Sequence, residues 1–256
     1  MSIMAQVQRG VVYKPPRLII YGTHGVGKTT LACGAPAPIL VQTEDGAESI
    51  GVDRFPQCLS YEDIMDQLTG LLEEEHAFQT LVLDSLDWAE KLVWDYSCRQ
   101  NGWVSITDPD FGRGYAKATE NWKIITDTLQ RLRDERGMAI ILLAHSQIKR
   151  FEDPTSGGYE RYQIDLHRGA SSLMQEMADG VFFMNWKSVI TEEKGGFAKV
   201  NKAKGNGQRL IFTEERPAAL AKNRFGQFGM PDKIEIPNDP AESWNALAAN
   251  IPYFAN

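Results

Sequence analysis

The chain has 256 residues, of which 43% are hydrophobic and 24% charged, a composition typical of a soluble globular protein with one large domain. No apolar run reaches the length of a membrane span and residues 1–14 lack the apolar core of a signal peptide, so we expect no membrane partner. The net charge of −7 argues against a wholly basic nucleic-acid binder, and the widely spaced Cys33, Cys58 and Cys98 fit neither a zinc site nor a disulfide framework, which predicts a cytoplasmic protein.

The two ends of the chain are predicted to lie outside the main domain. Pro15 and Pro16 prevent a regular element from forming directly before the first strand, so residues 1–16 are predicted to be a loose N-terminal arm. We expect this arm to be disordered, with docking on a neighbouring subunit as the alternative. The main domain is predicted over residues 17–240, and residues 241–256 are predicted to form a tail or a short helix.

The first predicted strand, residues 18–21, leads into a stretch that fits the phosphate-binding pattern G-x-x-x-x-G-K-[ST]. A helix predicted to begin near Lys28 completes the strand–loop–helix context that this pattern requires. The glycines allow the backbone to bend tightly, so that its N–H groups point inward at phosphate oxygens. A glycine-rich turn that binds nothing is the alternative interpretation. The predicted nucleotide-binding residues are Gly22, Thr23, His24, Gly25, Val26, Gly27, Lys28, Thr29 and Thr30.

Two side chains of this stretch are suited to a nucleoside triphosphate and its metal. Lys28 can reach the β- and γ-phosphates as a compact positive charge, and the Thr29 hydroxyl can bind Mg²⁺. The positive end of the helix dipole adds to the attraction for phosphate. The stretch therefore predicts ATP and Mg²⁺ as the cofactors.

Two further buried strands are predicted over residues 38–42 and 80–83, and a carboxylate closely follows each of them. Asp84 stands where a phosphate-loop protein carries the acid that holds Mg²⁺ through water, although it could instead cap the next helix. Glu44 could orient and deprotonate the water that attacks the γ-phosphate. Asp45 is its immediate rival for that role, and a surface acid without a function is the remaining interpretation.

A fourth strand, residues 138–144, is apolar throughout and is followed by His145, Ser146 and Gln147. Because strands and helices alternate up to this point, the pattern predicts an α/β fold with a mostly parallel central sheet flanked by helices. Open α/β sheets bind ligands beyond the carboxyl ends of their strands. Either His145 or Gln147 could therefore contact the γ-phosphate and report its presence to the next loop. A buried histidine that only satisfies hydrogen bonds is the alternative.

Residues 148–168 are predicted to form a loop that combines cations with aromatic rings, and glycines at its middle make it pliable. Positive charge can follow the backbone of a nucleic-acid strand while rings stack on its bases, which predicts single-stranded DNA as a partner. Interspersed acids weaken this signal, so an ordinary mobile loop is the alternative. The predicted DNA-binding residues are Lys149, Arg150, Tyr159, Arg161, Tyr162 and Arg168.

After Asp179 the pattern changes to short strands joined by glycine turns, which could extend the sheet with antiparallel strands near the C-terminus. Further along, Lys222 and Arg224 stand two residues apart and would project to the same face of a strand. They could reach a γ-phosphate held by an adjacent subunit, as an arginine finger does. The predicted short strands are residues 181–186, 189–191, 197–200 and 210–213.

In this order, the motifs resemble those of the RecA superfamily, and in particular phage Sak-type single-strand annealing proteins with a RecA-like ATPase core. The resemblance covers about residues 18–236 and implies a RecA-like fold for the main domain. Its last motif is also similar to the signature of bacterial RadA. The motifs that carry the resemblance are residues 22–30, 42–46, 81–85, 142–147 and 222–226.

The resemblance implies an ATP-dependent recombinase or annealing protein whose ATP hydrolysis is stimulated by single-stranded DNA. By that likeness, Glu44 matches the catalytic glutamate, and His145 or Gln147 falls at the position of the γ-phosphate sensor. Lys222 and Arg224 match a pair thought to act on the neighbouring subunit. The family also implies self-association into a ring or filament, a single-strand binding protein as a further partner, and the host bacterial cytoplasm for a phage-encoded protein.

Two other functions stay open on the sequence. One is a nucleotide-gated scaffold for a replication or recombination partner, which would bind ATP with little hydrolysis. The other, a kinase for a small substrate, is disfavoured because no arginine-rich lid is recognisable.

Overall fold

Strand β1 (Arg17–Gly22) occupies the middle of the central sheet in the computed structural model, and its residues 18–22 are buried. The structure describes Met4, Val7 and residues 10–153, 157–195 and 198–255, and for residues 188–206 it describes the backbone alone. Helices cover both faces of β1, which explains why its sequence is apolar without alternation. The N-terminal arm predicted over residues 1–16 lies partly outside the described residues, at 1–3, 5, 6, 8 and 9.

Six strands, with β1 among them, run parallel to one another, which confirms the predicted fold class. One strand separates the strand of the phosphate-binding stretch from the strand that ends in Asp84. Consequently the carboxyl ends of four parallel strands meet at one edge of the sheet. The order across this half is β7 (Gly180–Gly195), β1, β5 (Ala139–Asp153), β4 (Thr80–Asp84), β2 (Pro38–Gln42) and β3 (Asp53–Arg54).

The helices that connect these strands begin and end at residues suited to those positions. Ser60 caps the helix over Tyr61–Glu73, where its hydroxyl accepts a hydrogen bond from the Asp63 N–H at 3.1 Å. The long helix over Arg113–Glu135 buries an apolar stripe that includes Trp122. The connecting helices are α1 (Lys28–Ala32), α2 (Tyr61–Glu73), α3 (Leu86–Asn101), α4 (Arg113–Glu135) and α5 (Arg168–Met177).

Antiparallel strands extend the sheet on its C-terminal side, as predicted, but they are longer than the sequence pattern indicated. Strand β7 is continuous through the two short strands predicted over 181–186 and 189–191. Strand β8 (Ala198–Phe212) likewise contains the glycine turn predicted near residue 206, because its backbone is paired with β7 along most of its length. Strands β9 (Lys222–Asn223) and β10 (Lys233–Ile236) pair with β7 and β8.

The segment predicted as a loop over residues 148–168 is mostly a hairpin. Strand β5 continues beyond its buried part to Asp153, and β6 (Gly157–Ile164) returns beside it in antiparallel pairing from Ser146 opposite Ile164 onward. Phe151 lies opposite Tyr159 in this backbone pairing, and the two rings also contact each other. A loop would provide neither the backbone pairing nor the ring contact.

Helix α6 (Pro240–Ala248) covers the outer side of α1, and the short α7 (Pro252–Ala255) follows it. Asp239 caps α6 by accepting a hydrogen bond from the Ala241 N–H at 2.9 Å. Trp244 is buried against Gly34, close to the end of α1. Within the described ranges, no helix has both the length and the apolar content needed to cross a lipid bilayer.

Candidate nucleotide-binding site

The predicted phosphate-binding residues form a tight turn between β1 and α1. Gly22 approaches the neighbouring strand so closely that a Cβ there would lie 2.0 Å from the carbonyl oxygen of Met184. Gly27 adopts a φ of 92°, in the left-handed region that favours glycine, and α1 begins at the next residue. The turn therefore requires glycine at both positions, and it presents the first N–H groups of α1 to the adjacent cavity.

A cavity of about 460 Å³ opens between this turn and the strand ends. Its walls combine the turn with the segment that follows β2, the last residue of β4 and His145 of β5, as expected for an open α/β sheet. Thr43 joins two of these walls, because its hydroxyl donates to the Ser85 carbonyl at 2.8 Å. The lining residues are His24, Gly25, Gly27, Lys28, Thr29, Thr30, Gln42, Glu44, Asp45, Gly46, Ala47, Ser49, Ile50, Asp84 and His145.

The Lys28 ammonium is buried and lies over its own turn, where it donates to the carbonyl oxygens of Gly22 and Thr23 at 3.2 Å each. Burial lowers the pKa of this ammonium, and nearby carboxylates of Asp84 and other residues oppose the effect. The two carbonyl oxygens offer the ammonium only partial negative charge. A phosphate group in the cavity would offer it a fully anionic partner.

Thr29 and Asp84 are in direct contact, since the Thr29 hydroxyl donates to a carboxylate oxygen of Asp84 at 2.6 Å. Burial raises the pKa of Asp84, although the Thr29 hydroxyl and the Lys28 ammonium counteract it. Hydroxyl and carboxylate oxygens are the ligands that Mg²⁺ prefers, so these two residues fit a magnesium ion. The described residues contain no group of three His, Cys, Asp or Glu side chains that could hold a metal, so such an ion would also need phosphate and water oxygens.

Glu44 follows β2 and turns its half-buried carboxylate into the cavity, whereas Asp45 is exposed at the rim. Burial, followed by the negative charge of Asp84, raises the pKa of Glu44 to about 7. Its oxygen lies 4.0 Å from Nε2 of His145. A carboxylate with a pKa near neutrality is suited to accept a proton from a water molecule.

His145 stands at the end of the buried part of β5 and is fixed from two sides. Its backbone N–H donates to one oxygen of Asp87, and its ring Nδ1 lies 2.9 Å from the other. The ring also stacks on His24 with centroids 3.7 Å apart. Although burial raises the pKa of Asp87, the hydrogen bonds from His145 hold it below its usual range. The contact with Asp87 leaves Nε2 directed toward Glu44.

Gln147, the other candidate sensor, lies outside the cavity. Its amide nitrogen donates to the carbonyl oxygens of Ile164 at 2.9 Å and of Leu166 at 3.5 Å. The side chain therefore ties β5 to the end of β6. Of the two candidates, His145 is the one that lines the cavity.

The sequence did not single out Asp87, although it lies in the first turn of α3, three residues after Asp84. An acid in the first turn of a helix is explained by the helix dipole alone, so nothing distinguished it. Its position three residues after the predicted metal ligand, at the start of the helix that follows that strand end, was the signal that could have found it.

The predicted DNA-binding residues divide into two groups on the hairpin and the start of α5. Lys149, Arg150 and Arg168 are exposed, and Tyr159 is half-buried beside Phe151. The remaining two pack inward. Arg161 is buried, pairs with Glu215 at 2.7 Å and lies over the Phe151 ring, while Tyr162 stacks on Phe183 in the sheet.

The cavity lies at the carboxyl ends of the parallel strands. Lys222 and Arg224 lie at the opposite edge of the sheet, where these strands begin, because β9 pairs with the beginning of β7. The Lys222 ammonium donates to the carbonyls of Gln175 at 2.6 Å and Glu176 at 3.3 Å. Arg224 pairs with Asp179 at 3.1 Å and stays about half exposed. From this edge, neither cation can reach the cavity of its own subunit.

Comparison with known proteins places these features in a family. The profile of a family described as "AAA domain" matches residues 14–225, which include the cavity, the hairpin and Lys222 with Arg224. The SPbeta prophage-derived uncharacterized protein YorG of Bacillus subtilis (strain 168) is 28% identical over 151 residues, which are 57% of this chain and 44% of that protein. The chain therefore matches less than half the length of this relative.

Proposed function

The chain belongs to the AAA domain family, and from that premise we propose that it hydrolyses ATP to ADP and phosphate in the presence of Mg²⁺. One observation carries the proposal. A phosphate-binding turn, a hydroxyl–carboxylate pair and a carboxylate with a pKa near 7 line the same cavity.

Each residue has a definite task in this reaction. The N–H groups of residues 22–30 and the Lys28 ammonium bind the phosphates. Thr29 and Asp84 would hold Mg²⁺, which neutralises charge on the β- and γ-phosphates when bound. Glu44 accepts a proton from the water whose oxygen attacks the γ-phosphorus. The bond from that phosphorus to the bridging oxygen breaks, and ADP leaves with the electron pair.

We further propose that the reaction serves single-stranded DNA binding in recombination or annealing. The support is the position of His145, which lies two residues before Gln147 and four before Lys149 on the same strand. A γ-phosphate that shifts His145 would move the base of the hairpin that carries Lys149 and Arg150. The prophage origin of the relative in Bacillus subtilis agrees with a phage-type recombination protein.

Head-to-tail assembly completes this proposal. Lys222 and Arg224 lie on the edge opposite the cavity, so a neighbouring copy could present them to the bound nucleotide in a ring or filament. We propose that hydrolysis takes place at these subunit interfaces, with a single-strand binding protein as an additional partner on the DNA.

The experiment that tests the proposed function is ATP turnover with and without single-stranded DNA, combined with a direct strand-binding assay. We expect DNA to raise turnover and Lys28→Ala to abolish it. Lys14→Ala is the matched control, because Lys14 is an exposed lysine outside the cavity and should leave turnover unchanged. If single-stranded DNA does not change ATP turnover and the protein does not bind single-stranded DNA, the recombination proposal is rejected.

A nucleotide-gated scaffold is the second candidate, and the pKa of Glu44 favours it. With a value of about 7, this carboxyl is roughly half protonated at neutral pH, so only about half of the sites contain the carboxylate form that can accept a proton. Glu44→Gln separates the two functions. An ATPase would lose turnover and keep ATP binding, whereas a scaffold would keep its partner binding and show negligible turnover before and after the change.

A further inference from the structure

Arg209 is a buried cation that none of the predicted functions uses. It lies on β8, next to the nucleotide-binding turn, and is only 6% exposed. One nitrogen of its guanidinium, Nη2, donates to the Pro237 carbonyl and to the Ser243 hydroxyl. Among the described residues, its Nε has no hydrogen-bond partner and no carboxylate pairs with the guanidinium. An unpaired charge is rarely kept in a protein interior without a reason.

The other terminal nitrogen, Nη1, lies directly behind the phosphate-binding turn. A Cβ placed on Gly27 would come within 2.5 Å of it, so the guanidinium fills the space where a side chain at this position would stand. Gly27 is the left-handed residue that immediately precedes Lys28. Gly27 lines the cavity and Arg209 does not, so the positive charge lies against the turn without opening onto the cavity.

A polyanion bound on the cavity side would neutralise a charge that nothing in the described protein neutralises. Burial lowers the pKa of Arg209, and no acid opposes the effect. A buried cation attracts a nearby anion more strongly than an exposed one, because water does not screen the interaction. The two Nη2 contacts hold the guanidinium against the turn.

We propose that Arg209 is a positioning residue for the phosphates of the nucleotide, acting from behind the turn. It supports the conformation of Gly27 and adds positive potential at the phosphate groups. Because Ser243 and Pro237 anchor it, helix α6 and the segment before it contribute to nucleotide binding, although both lie outside the matched AAA domain. This inference rests on the proposed function in one respect, which is that the turn binds ATP.

The test is calorimetric titration of the full chain with ATP, ADP and AMP in magnesium buffer. Arg209→Met is expected to weaken ATP and ADP binding by roughly 10–100-fold and AMP binding by clearly less, because the lost attraction grows with the number of phosphates. Arg209→Lys keeps the positive charge but not the fixed contacts of the guanidinium, so it should lose clearly less ATP affinity than Arg209→Met. The matched control is Arg216→Met, since Arg216 is paired with Asp232 away from the turn and should change ATP affinity less than about twofold.

The outcomes separate this inference from its premise. If the unsubstituted protein takes up no ATP, the proposed function fails and this inference fails with it. If that protein binds ATP and folded Arg209→Met binds it equally well, the role of Arg209 alone is rejected. Equal losses for ATP and AMP would also reject it, because a general structural defect does not depend on phosphate number. Should Arg209→Met fail to fold, Arg209→Gln and Arg209→Lys decide the question, and folded variants with equal ATP affinity contradict the proposal, because only the lysine keeps the charge.

Discussion

At the scale of single residues, the account depends on how Asp84, Asp87 and His145 set the state of Glu44. Burial and the Asp84 charge favour the protonated carboxyl, while His145 opposes them. Asp87 keeps the imidazole in place through two contacts of 2.9 Å. The cavity thus contains a carboxyl group whose proton affinity is adjusted by its neighbours.

The first prediction concerns pH. The carboxylate form of Glu44 is needed to accept a proton, and its pKa is raised from an ordinary value near 4.5 to about 7. We expect kcat/KM for ATP to rise with pH through about 7 and then level off. Steady-state turnover between about pH 6 and about pH 9 measures this, and a profile that is flat across neutrality would contradict the role of Glu44.

A second prediction concerns Asp87. Asp87→Asn keeps the size of the side chain but removes the negative charge that orients His145. We expect kcat to fall by roughly 10–100-fold with a much smaller change in KM, and the pH profile to shift. Asp95→Asn, at an exposed position on the same helix, is the control and should leave both constants unchanged. Equal effects of the two substitutions would mean that Asp87 only supports the fold.

Local sequence predicted part of the site but not all of it. Lys28, Thr29 and Asp84 could be predicted because the glycine pattern and the two strand ends can each be recognised within a short stretch of sequence. Asp87 was missed because its position at a helix start has an ordinary explanation. Arg209 was missed because the turn behind which it lies is about 180 residues away in sequence, and only the pairing of β8 with β7 brings the two together.

At the scale of elements, the hairpin of β5 and β6 connects the cavity to the proposed DNA surface. Its sequence was interpreted as a loop because glycines and charges are frequent in it. A loop has no cross-strand pairs, whereas the hairpin pairs β5 with β6. Within this pairing, Arg161 lies over the Phe151 ring and Tyr162 stacks on Phe183 of the sheet. Of the remaining predicted cations, Lys149 and Arg150 are exposed on β5 of the hairpin, and Arg168 is exposed at the start of α5.

The third prediction tests that surface. Changing both Lys149 and Arg150 to alanine removes two charges that could contact phosphate, so single-strand affinity should fall and its dependence on salt should become less steep. Fluorescence anisotropy with labelled single-stranded DNA at several salt concentrations measures both effects. Arg131→Ala is the control, because Arg131 is exposed on α4 and pairs with Glu135. An unchanged salt dependence in the double variant would remove the hairpin from the DNA site.

At the scale of the whole molecule, the order of strands determines where function is located. The parallel half and its antiparallel extension were predictable, because helices alternate with strands only in the first part of the chain. The order β7, β1, β5, β4, β2 was not, since sequence patterns say which segments are strands and not which strands are neighbours. In this arrangement the cavity lies where the parallel strands end, and Arg224 lies at the opposite edge of the sheet, where they begin.

The fourth prediction follows from these opposite edges. Arg224→Ala should lose turnover and retain ATP binding, and Asp179 should tolerate the change because Arg17 still pairs with it at 2.9 Å. Mixing this variant with Lys28→Ala should restore activity, because each then supplies what the other lacks. With random mixing, roughly a quarter of the interfaces are complete. A mixture that stays inactive would contradict action on the neighbouring subunit.

Every role proposed for these residues requires that the cavity beside residues 22–30 binds ATP with Mg²⁺, and calorimetric titration of ATP into the protein measures that binding. We predict saturable binding of one ATP per chain, loss of that binding on removal of Mg²⁺ or in Lys28→Ala, and unchanged binding in Lys14→Ala. No heat of binding in magnesium buffer, or equal binding by the Lys28→Ala variant, would contradict the account.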